Sequence, residues 1–238
     1  MIKTLIVNYF FLINNMDKII ETYHPQLQKY KNLHVGETAY IFGCGPSINN
    51  FQKQDDGLFI GCNRIYFNEY IKNNLSYYFF GDNYTTDKDH KQNIDNLPYK
   101  LEKFSMVSRI DIIDYQNYTY DDVKQLKNIN TLPCCMCVDN INKDISTKPF
   151  INHSIVYCAT QFALFSGFTR IYIVGCDCTS IGYKNHYYDK VKKNKINKHF
   201  VEWWLKMKEF KDKYYPHSKF ININPVGLKG LMDEDIFT

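Results

Sequence analysis

The chain of 238 residues has only two tryptophans, no internal repeat and no linker rich in Pro, Gly and Ser. Those absences leave one domain as the economical organisation. Charge of one sign is also scarce. A formal net charge of +4 is too mild to indicate nucleic acid binding and suits a small anionic ligand instead. The eight cysteines include no C-x-x-C pair with a matching second half, so neither a structural zinc site nor any other metal site is expected. Cys134, Cys135 and Cys137 crowd together, and Cys176 and Cys178 flank Asp177. Cys44, Cys62, Cys158, Cys176 and Cys178 lie in or beside apolar runs, where a thiol behaves as a small hydrophobe. Reduced thiols point to a cytoplasmic protein. The apolar stretch Met1 to Ile13 is interrupted by Asn8, is too short to span a bilayer and lacks a small-residue cleavage site. Residues 1–37 therefore read as an N-terminal extension. An extra strand, a peripheral membrane anchor or a leader ahead of Met16 all stay open. The basic stretch from Lys190 to Lys198 reads by default as a solvated loop, and alternatively as a surface for phosphate or an anionic membrane.

What is present is a core and many rings. Hydrophobic residues make up 45% of the chain and aromatics 16%, with 20 tyrosines that are expected at polar surfaces or in a cleft. The segment from Ala39 to Ile48 is the most informative. An apolar run ends in Gly43-Cys44-Gly45 and continues at once into Pro46-Ser47, which predicts a buried strand, a tight turn and a helix start. Free amides at such a start bind phosphate, and the glycines allow close approach of a ligand. No Gly-Lys-Ser/Thr follows and the third glycine of the dinucleotide fingerprint is missing, so the motif is neither of those loops.

Further strands are predicted at 58–62, 77–80, 104–108, 170–177 and 219–222. Helices are predicted after Asn63, carrying Tyr66, Phe67 and Tyr70, then over 154–165 and 199–213. Strands that end in glycine or polar residues and feed helices imply a Rossmann-like, doubly wound α/β fold with a mostly parallel sheet over 38–238. The polar, Tyr-rich segment from about 84 to 150 reads as an excursion from that sheet, a lid or acceptor insertion.

The strand ends gather Gly43, Gly45, Ser47, Asn63, Asp82 and Asp177 around one crevice. Asn63 would read a base or ribose, or else serve as a turn residue. Asp82 and Asp177 would bind ribose hydroxyls, accept a proton or cap a helix. His186, with Tyr183, Tyr187 and Tyr188, is a donor cluster suited to phosphate oxygens, against the alternative of an aromatic surface loop. His199 at a helix start is a candidate proton acceptor.

Four motifs, Phe42–Ser47, Cys62–Phe67, Ser154–Tyr157 and Ile171–Asp177, occur in an order and at separations that resemble the bacterial sialyltransferases of glycosyltransferase family 42. The wider group of motility-accessory-factor glycosyltransferases shares the Gly-x-Gly-Pro-Ser turn. The resemblance spans about 38–83 and 150–230. It implies metal-independent, inverting transfer of a sugar from a CMP-activated donor to a glycan or protein acceptor, with no cofactor. Gly45, Pro46 and Ser47 would form the nucleotide turn, Asn63 would meet the cytidine end, and Ser154 would approach the donor phosphate or sugar. His186 falls near a phosphate-holding tyrosine of that family and His199 would be the general base. The chain departs from the pattern at Cys44, where the family has Asn, at Thr179, where it has a tyrosine, and in a shorter spacing from Asp177 to His199. A non-sialic sugar or another nucleotide is therefore open. Self-association, common among such enzymes, is open as well.

Two further readings stand beside it. Archaeal pterin-type pyrophosphokinases share the Gly-Pro-Ser turn and would need a metal on carboxylates such as Asp82 and Asp177. A nucleotide-binding scaffold without catalysis is the other. A methyltransferase is disfavoured, since Asn63 and Arg64 stand where an acidic residue would hold the ribose.

Overall fold

The computed structural model describes residues 25–53, 55–81, 87–108, 129–135, 141–147, 150–151, 154–179, 186–188 and 198–236. Nine strands form one sheet: β1 (Thr38–Phe42), β2 (Leu58–Cys62), β3 (Leu75–Phe80), β4 (Glu102–Ser108), β5 (Ile129–Cys135), β6 (Phe150–Ile151), β7 (Arg170–Val174), β8 (Lys219–Ile223) and β9 (Asp233–Asp235). Their order is β6-β5-β4-β3-β2-β1-β7-β8-β9 and every pairing is parallel. The chain winds outward from β1 to β6, then returns to the other side of β1 with β7. That reversal between β1 and β7 is the topological switch point, where open α/β sheets form their crevice.

Both faces of the sheet are covered, which is why its central strands read as continuous apolar runs. On one face Ala39, Ile41, Ile60, Phe79, Phe104, Ile171 and Ile173 pack with helices α3 (Ile155–Phe165) and α4 (Lys198–Tyr214). On the other, Tyr40, Phe42, Phe59, Tyr78, Phe80, Tyr172 and Val174 pack with the turn Asn63–Phe67 and helices α1 (Glu69–Asn73) and α2 (Lys88–Asp95). In α3 every residue but Val156 is buried. Its small side chains Cys158, Ala159 and Ala163 bring it close to the sheet, and Phe162 meets Tyr30, Tyr77, Phe79 and Phe104 at centroid distances of 5.0–5.3 Å. Gly167 ends the helix at φ +87, a conformation that any other residue adopts under strain.

Three expectations are corrected. The segment 84–150 is not simply an excursion: its described part supplies α2 and strands β4 to β6 at one side of the sheet. The helix after Asn63 is a 3-10 turn followed by the five-residue α1. Of the thirteen described tyrosines seven are buried, so the rings build the core as well as the surface, and every buried hydroxyl among them but that of Tyr30 finds a partner. Tyr40 and Tyr172 stack at 4.7 Å and both reach Asp55, through its carbonyl at 3.0 Å and its carboxylate at 2.9 Å. The Tyr77 hydroxyl meets His34 Nε2 at 2.7 Å.

His90 on α2 is 3% exposed, with Nδ1 at 2.7 Å from the Tyr66 hydroxyl. Burial, reinforced by the nearby Arg64 guanidinium, lowers its pKa to about 4. Between the usual histidine value and 4 the unfolded chain binds a proton that the native state refuses, so stability falls as pH is lowered across that window. We expect a loss of roughly 1 kcal/mol per pH unit from this group. His90→Gln should flatten the pH dependence of the urea midpoint between pH 6.5 and 4, and an unchanged slope would remove His90 from the account.

Candidate active site

The turn after β1 is built by close approach. Gly43 N–H donates to Val174 O at 2.8 Å and Gly45 N–H to Gly175 O at 2.7 Å, joining the ends of β1 and β7. A Cβ on Gly45 would lie 2.4 Å from Asp177 Oδ2 and 2.7 Å from Gly175 O. The helix that follows, Pro46–Asn50, is a short 3-10 segment. Its amides are not free. Ser47 N–H donates to Asp177 Oδ2 at 3.0 Å, the Ser47 hydroxyl donates to Asp177 Oδ1, and Ile48 N–H closes on Gly45 O at 3.2 Å. The expectation of a phosphate-binding helix start here is therefore corrected. Among the described residues only the Cys44 N–H of this turn meets no acceptor. Asp177 holds the turn in shape, and burial pushes its carboxyl above the usual range against the opposing Ser47 hydrogen bonds.

A cleft of about 390 Å³ opens at the switch point, lined by Gly43, Cys44, Gly45, Asn63, Ser154, Asp177, Thr179 and His186, together with Cys62, Gly175, Cys176 and Cys178. That volume lies in the range of small-molecule sites. Pro46 and Ser47 do not line it: they face a separate depression of about 320 Å³ beside Asn50, Asn224 and Lys229. The carboxylate of Asp177 holds both polar groups of Ser47. Asp82 and Tyr183 lie outside the described residues.

Asn63 sits at φ +49, a left-handed position that Asn tolerates, and its Oδ1 accepts from Gly81 N–H at 3.3 Å. It is both the turn residue and a wall of the cleft. Ser154 caps α3, its hydroxyl accepting from Tyr157 N–H at 3.2 Å. The next two residues, Ile155 and Val156, also line the cleft, and their amides have no acceptor among the described residues. The helix start that lines the cleft with unpaired amides is therefore that of α3, not the one after Gly45.

His186 is placed by its neighbour Tyr187, whose N–H donates to Cys44 O at 2.9 Å and whose hydroxyl donates to Arg64 O at 3.0 Å. Burial pushes the Cys44 thiol up to about 12, only partly opposed by Arg64, and raises Cys62 as well; the hydrogen bond of Cys176 to Cys178, then burial, raises Cys176. Opposite them, α4 turns Phe200 and Trp204 into the cleft. His199 is not among the lining residues. It occupies the first turn of α4 next to Phe200, with a side chain 75% exposed and Nδ1 3.6 Å from a Glu202 carboxylate oxygen. Sequence reasoning missed Cys62, Gly175, Ile155, Val156, Phe200 and Trp204 as cleft walls. Their apolar character signals core, and only their adjacency to strand ends and helix starts could have marked them.

Among the described residues no cluster of three or more His, Cys, Asp or Glu side chains is placed to hold a metal ion, and no helix is long and apolar enough to cross a membrane. No protein-family model matches the sequence, and no curated protein matches it. Solved structures do. The sialyltransferase CstII from Campylobacter jejuni in complex with cytidine monophosphate is 19% identical, with a TM-score of 0.44 over 79% of this chain and 80% of that one. An alpha-2,3-sialyltransferase from the same organism is 17% identical, with a TM-score of 0.45 over 81% of this chain and 78% of that one. A MAf glycosyltransferase from Magnetospirillum magneticum is 14% identical, with a TM-score of 0.45 over 91% of this chain but 38% of its own length.

Proposed function

We propose that the cleft binds a nucleotide-activated sugar, a CMP-sugar in the first instance, and transfers the sugar to a hydroxyl of a glycan or protein acceptor without a metal. The observation that carries this reading is the meeting of unpaired amides at the switch point. Ile155 and Val156 at the start of α3 and Cys44 after β1 all line the cleft, and their backbone N–H groups meet no acceptor among the described residues. Such donors, helped by the helix dipole, suit a phosphate that gains negative charge as its bond to the sugar breaks. His186 on the same wall adds a donor to a phosphate oxygen. The order of motifs that resembles family 42 supports a cytidine donor with Asn63 at the base end.

In this reaction the acceptor oxygen attacks the anomeric carbon, the carbon–oxygen bond to phosphate breaks, and the nucleoside monophosphate leaves with the electron pair. The acceptor proton passes to His199. A Glu202 carboxylate oxygen lies 3.6 Å from Nδ1 on the same exposed helix turn, close enough to favour the imidazolium that forms. His199 is not a wall of the cleft, but it directly precedes Phe200, which is.

The test is thermal denaturation of the full chain with CMP, CDP, UDP, GDP, ATP and S-adenosylmethionine, with and without magnesium. CMP at a hundredfold excess over Kd should raise Tm by about 5–10 °C whether or not magnesium is present. A shift confined to UDP or GDP would change the donor, and magnesium-dependent ATP binding would favour pyrophosphoryl transfer. No shift with any nucleotide would overturn the assignment.

A further inference from the structure

Four cysteines, Cys44, Cys62, Cys176 and Cys178, line the cleft, and they do not share one environment. Cys62 is 1% exposed and closed to reagents. Cys44 is half-buried, but its thiol donates to Cys62 O at 3.4 Å and burial keeps its proton in place. Cys176 and Cys178 differ from both. Each is half-buried, and their side chains are hydrogen-bonded to each other across Asp177. In a straight strand, side chains two residues apart share a face but stand about 6.5 Å apart. Here the chain turns on either side of the pair, at Gly175 with φ +65 and at Cys178 with φ +52. A cysteine in that left-handed conformation is uncommon and strained. The strap between the turns is also pinned. The Asp177 carboxylate holds the Ser47 amide and hydroxyl, and its carbonyl accepts from Gly227 N–H at 2.8 Å.

We infer that Cys176 and Cys178 form a dithiol site that reacts with a low-molecular-weight disulfide of the glutathione class, and that the resulting protein disulfide weakens nucleotide binding in the cleft. The second half of this inference rests on the reading of the cleft as a donor site; the first half does not. The roles of the two thiols follow from their hydrogen bond. Cys176, raised by that bond and then by burial, keeps its proton and offers it to the Cys178 sulfur. Cys178 is therefore the attacking group and Cys176 the resolving one. The Cys178 sulfur gives its proton to solvent and attacks one sulfur of the reagent. The reagent's sulfur–sulfur bond breaks and one small thiol leaves. The Cys176 sulfur then loses its proton and attacks Cys178, and the second small thiol leaves. Two protein thiols are oxidised and one small disulfide is reduced to two thiols. A ring closed across a single residue is tight, so the bond is readily reduced again, as suits a reversible site. Its formation would shift the strap at Asp177, and with it the Ser47 contacts that hold the β1 turn.

The experiment exposes the full chain to glutathione disulfide, blocks the remaining thiols with iodoacetamide and digests with trypsin. The peptide 171–184 contains Cys176 and Cys178 and no other cysteine. It should be recovered unalkylated and lighter by two hydrogens, and dithiothreitol should reverse the change. Cys176→Ser should instead retain one glutathione on Cys178, because no second thiol displaces it. Cys178→Ser should carry about tenfold less on Cys176. In the oxidised chain CMP binding should weaken about tenfold, which halves the Tm rise expected at a hundredfold excess, and reductant should restore it. In Cys178→Ser the CMP response, whatever its size, should not change with glutathione disulfide. No disulfide in 171–184, or equal adducts on the two single variants, would overturn the inference. A disulfide that forms without altering the CMP response, or a response that Cys178→Ser loses equally on oxidation, would also overturn it. If the reduced chain binds no nucleotide while the disulfide and the trapped adduct form as described, the dithiol site stands and the donor assignment is the part that fails.

Discussion

His199→Ala is expected to lose sugar transfer by about 10²–10⁴-fold while still binding CMP as the unmodified chain does. The two halves of that expectation have separate causes. Donor binding draws on the cleft, and His199 is not one of its walls. Transfer needs a proton acceptor on the side where the second substrate enters. In the proposed reading that acceptor is the imidazole on the first turn of α4, with the Glu202 carboxylate 3.6 Å from it. His186 supplies the contrast. It lines the cleft, so His186→Ala should weaken the CMP-induced Tm shift as well as turnover. Glu202→Gln keeps the size of the side chain but removes its charge, and should lower turnover far less than His199→Ala. The measurement is release of CMP from a CMP-sugar with a pyranoside acceptor, read alongside nucleotide binding. Turnover by His199→Ala within a few fold of the unmodified chain would take the base away from this residue. Loss of CMP binding in the same variant would place the imidazole in the donor site instead.

The contrast between the histidines also shows what the sequence could and could not reveal. The central strands were legible because a sheet covered on both faces demands unbroken apolar runs, and Ala39–Phe42, Leu58–Cys62 and Arg170–Val174 have them. The switch point followed, since strand ends in such a fold converge. The edges were not legible. Strand β5 carries Asn130, Thr131 and Pro133, a pattern that argues against a strand inside a sheet, and it pairs only because β4 and the two-residue β6 flank it. Strand β9 is Asp-Glu-Asp, which has no strand propensity of its own and forms against β8. That Gly43, Cys44, Gly45, Asn63 and Ser154 line one cleft could be read from their place at strand and helix ends. That Pro46 and Ser47 do not line the cleft was not legible, because no local rule shows that a carboxylate 130 residues away will take the Ser47 amide. The same long-range contact leaves the start of α3, rather than the helix after Gly45, with unpaired amides beside the cleft.

That contact supports the second large effect. Gly45→Ala should destabilise the protein by about 3 kcal/mol and abolish the CMP-induced Tm shift. The added methyl would meet the Asp177 carboxylate at 2.4 Å and the Gly175 carbonyl at 2.7 Å, and neither neighbour is free to give. Asp177 holds both polar groups of Ser47, while Gly175 O accepts the Gly45 amide itself. Opening the turn would therefore separate the ends of β1 and β7, and the walls of the cleft with them. A double-mutant cycle locates the conflict. Asp177→Ala alone should be destabilising, because it strands the buried Ser47 amide and hydroxyl without acceptors. Added to Gly45→Ala it should be markedly less harmful, since the shortened side chain vacates the space the methyl needs. Additive losses in urea denaturation would instead put the whole conflict on the Gly175 carbonyl. Gly45→Ala folding with the stability and CMP response of the unmodified chain would show that the turn tolerates a side chain, and the close approach of β1 to β7 would no longer account for the glycine.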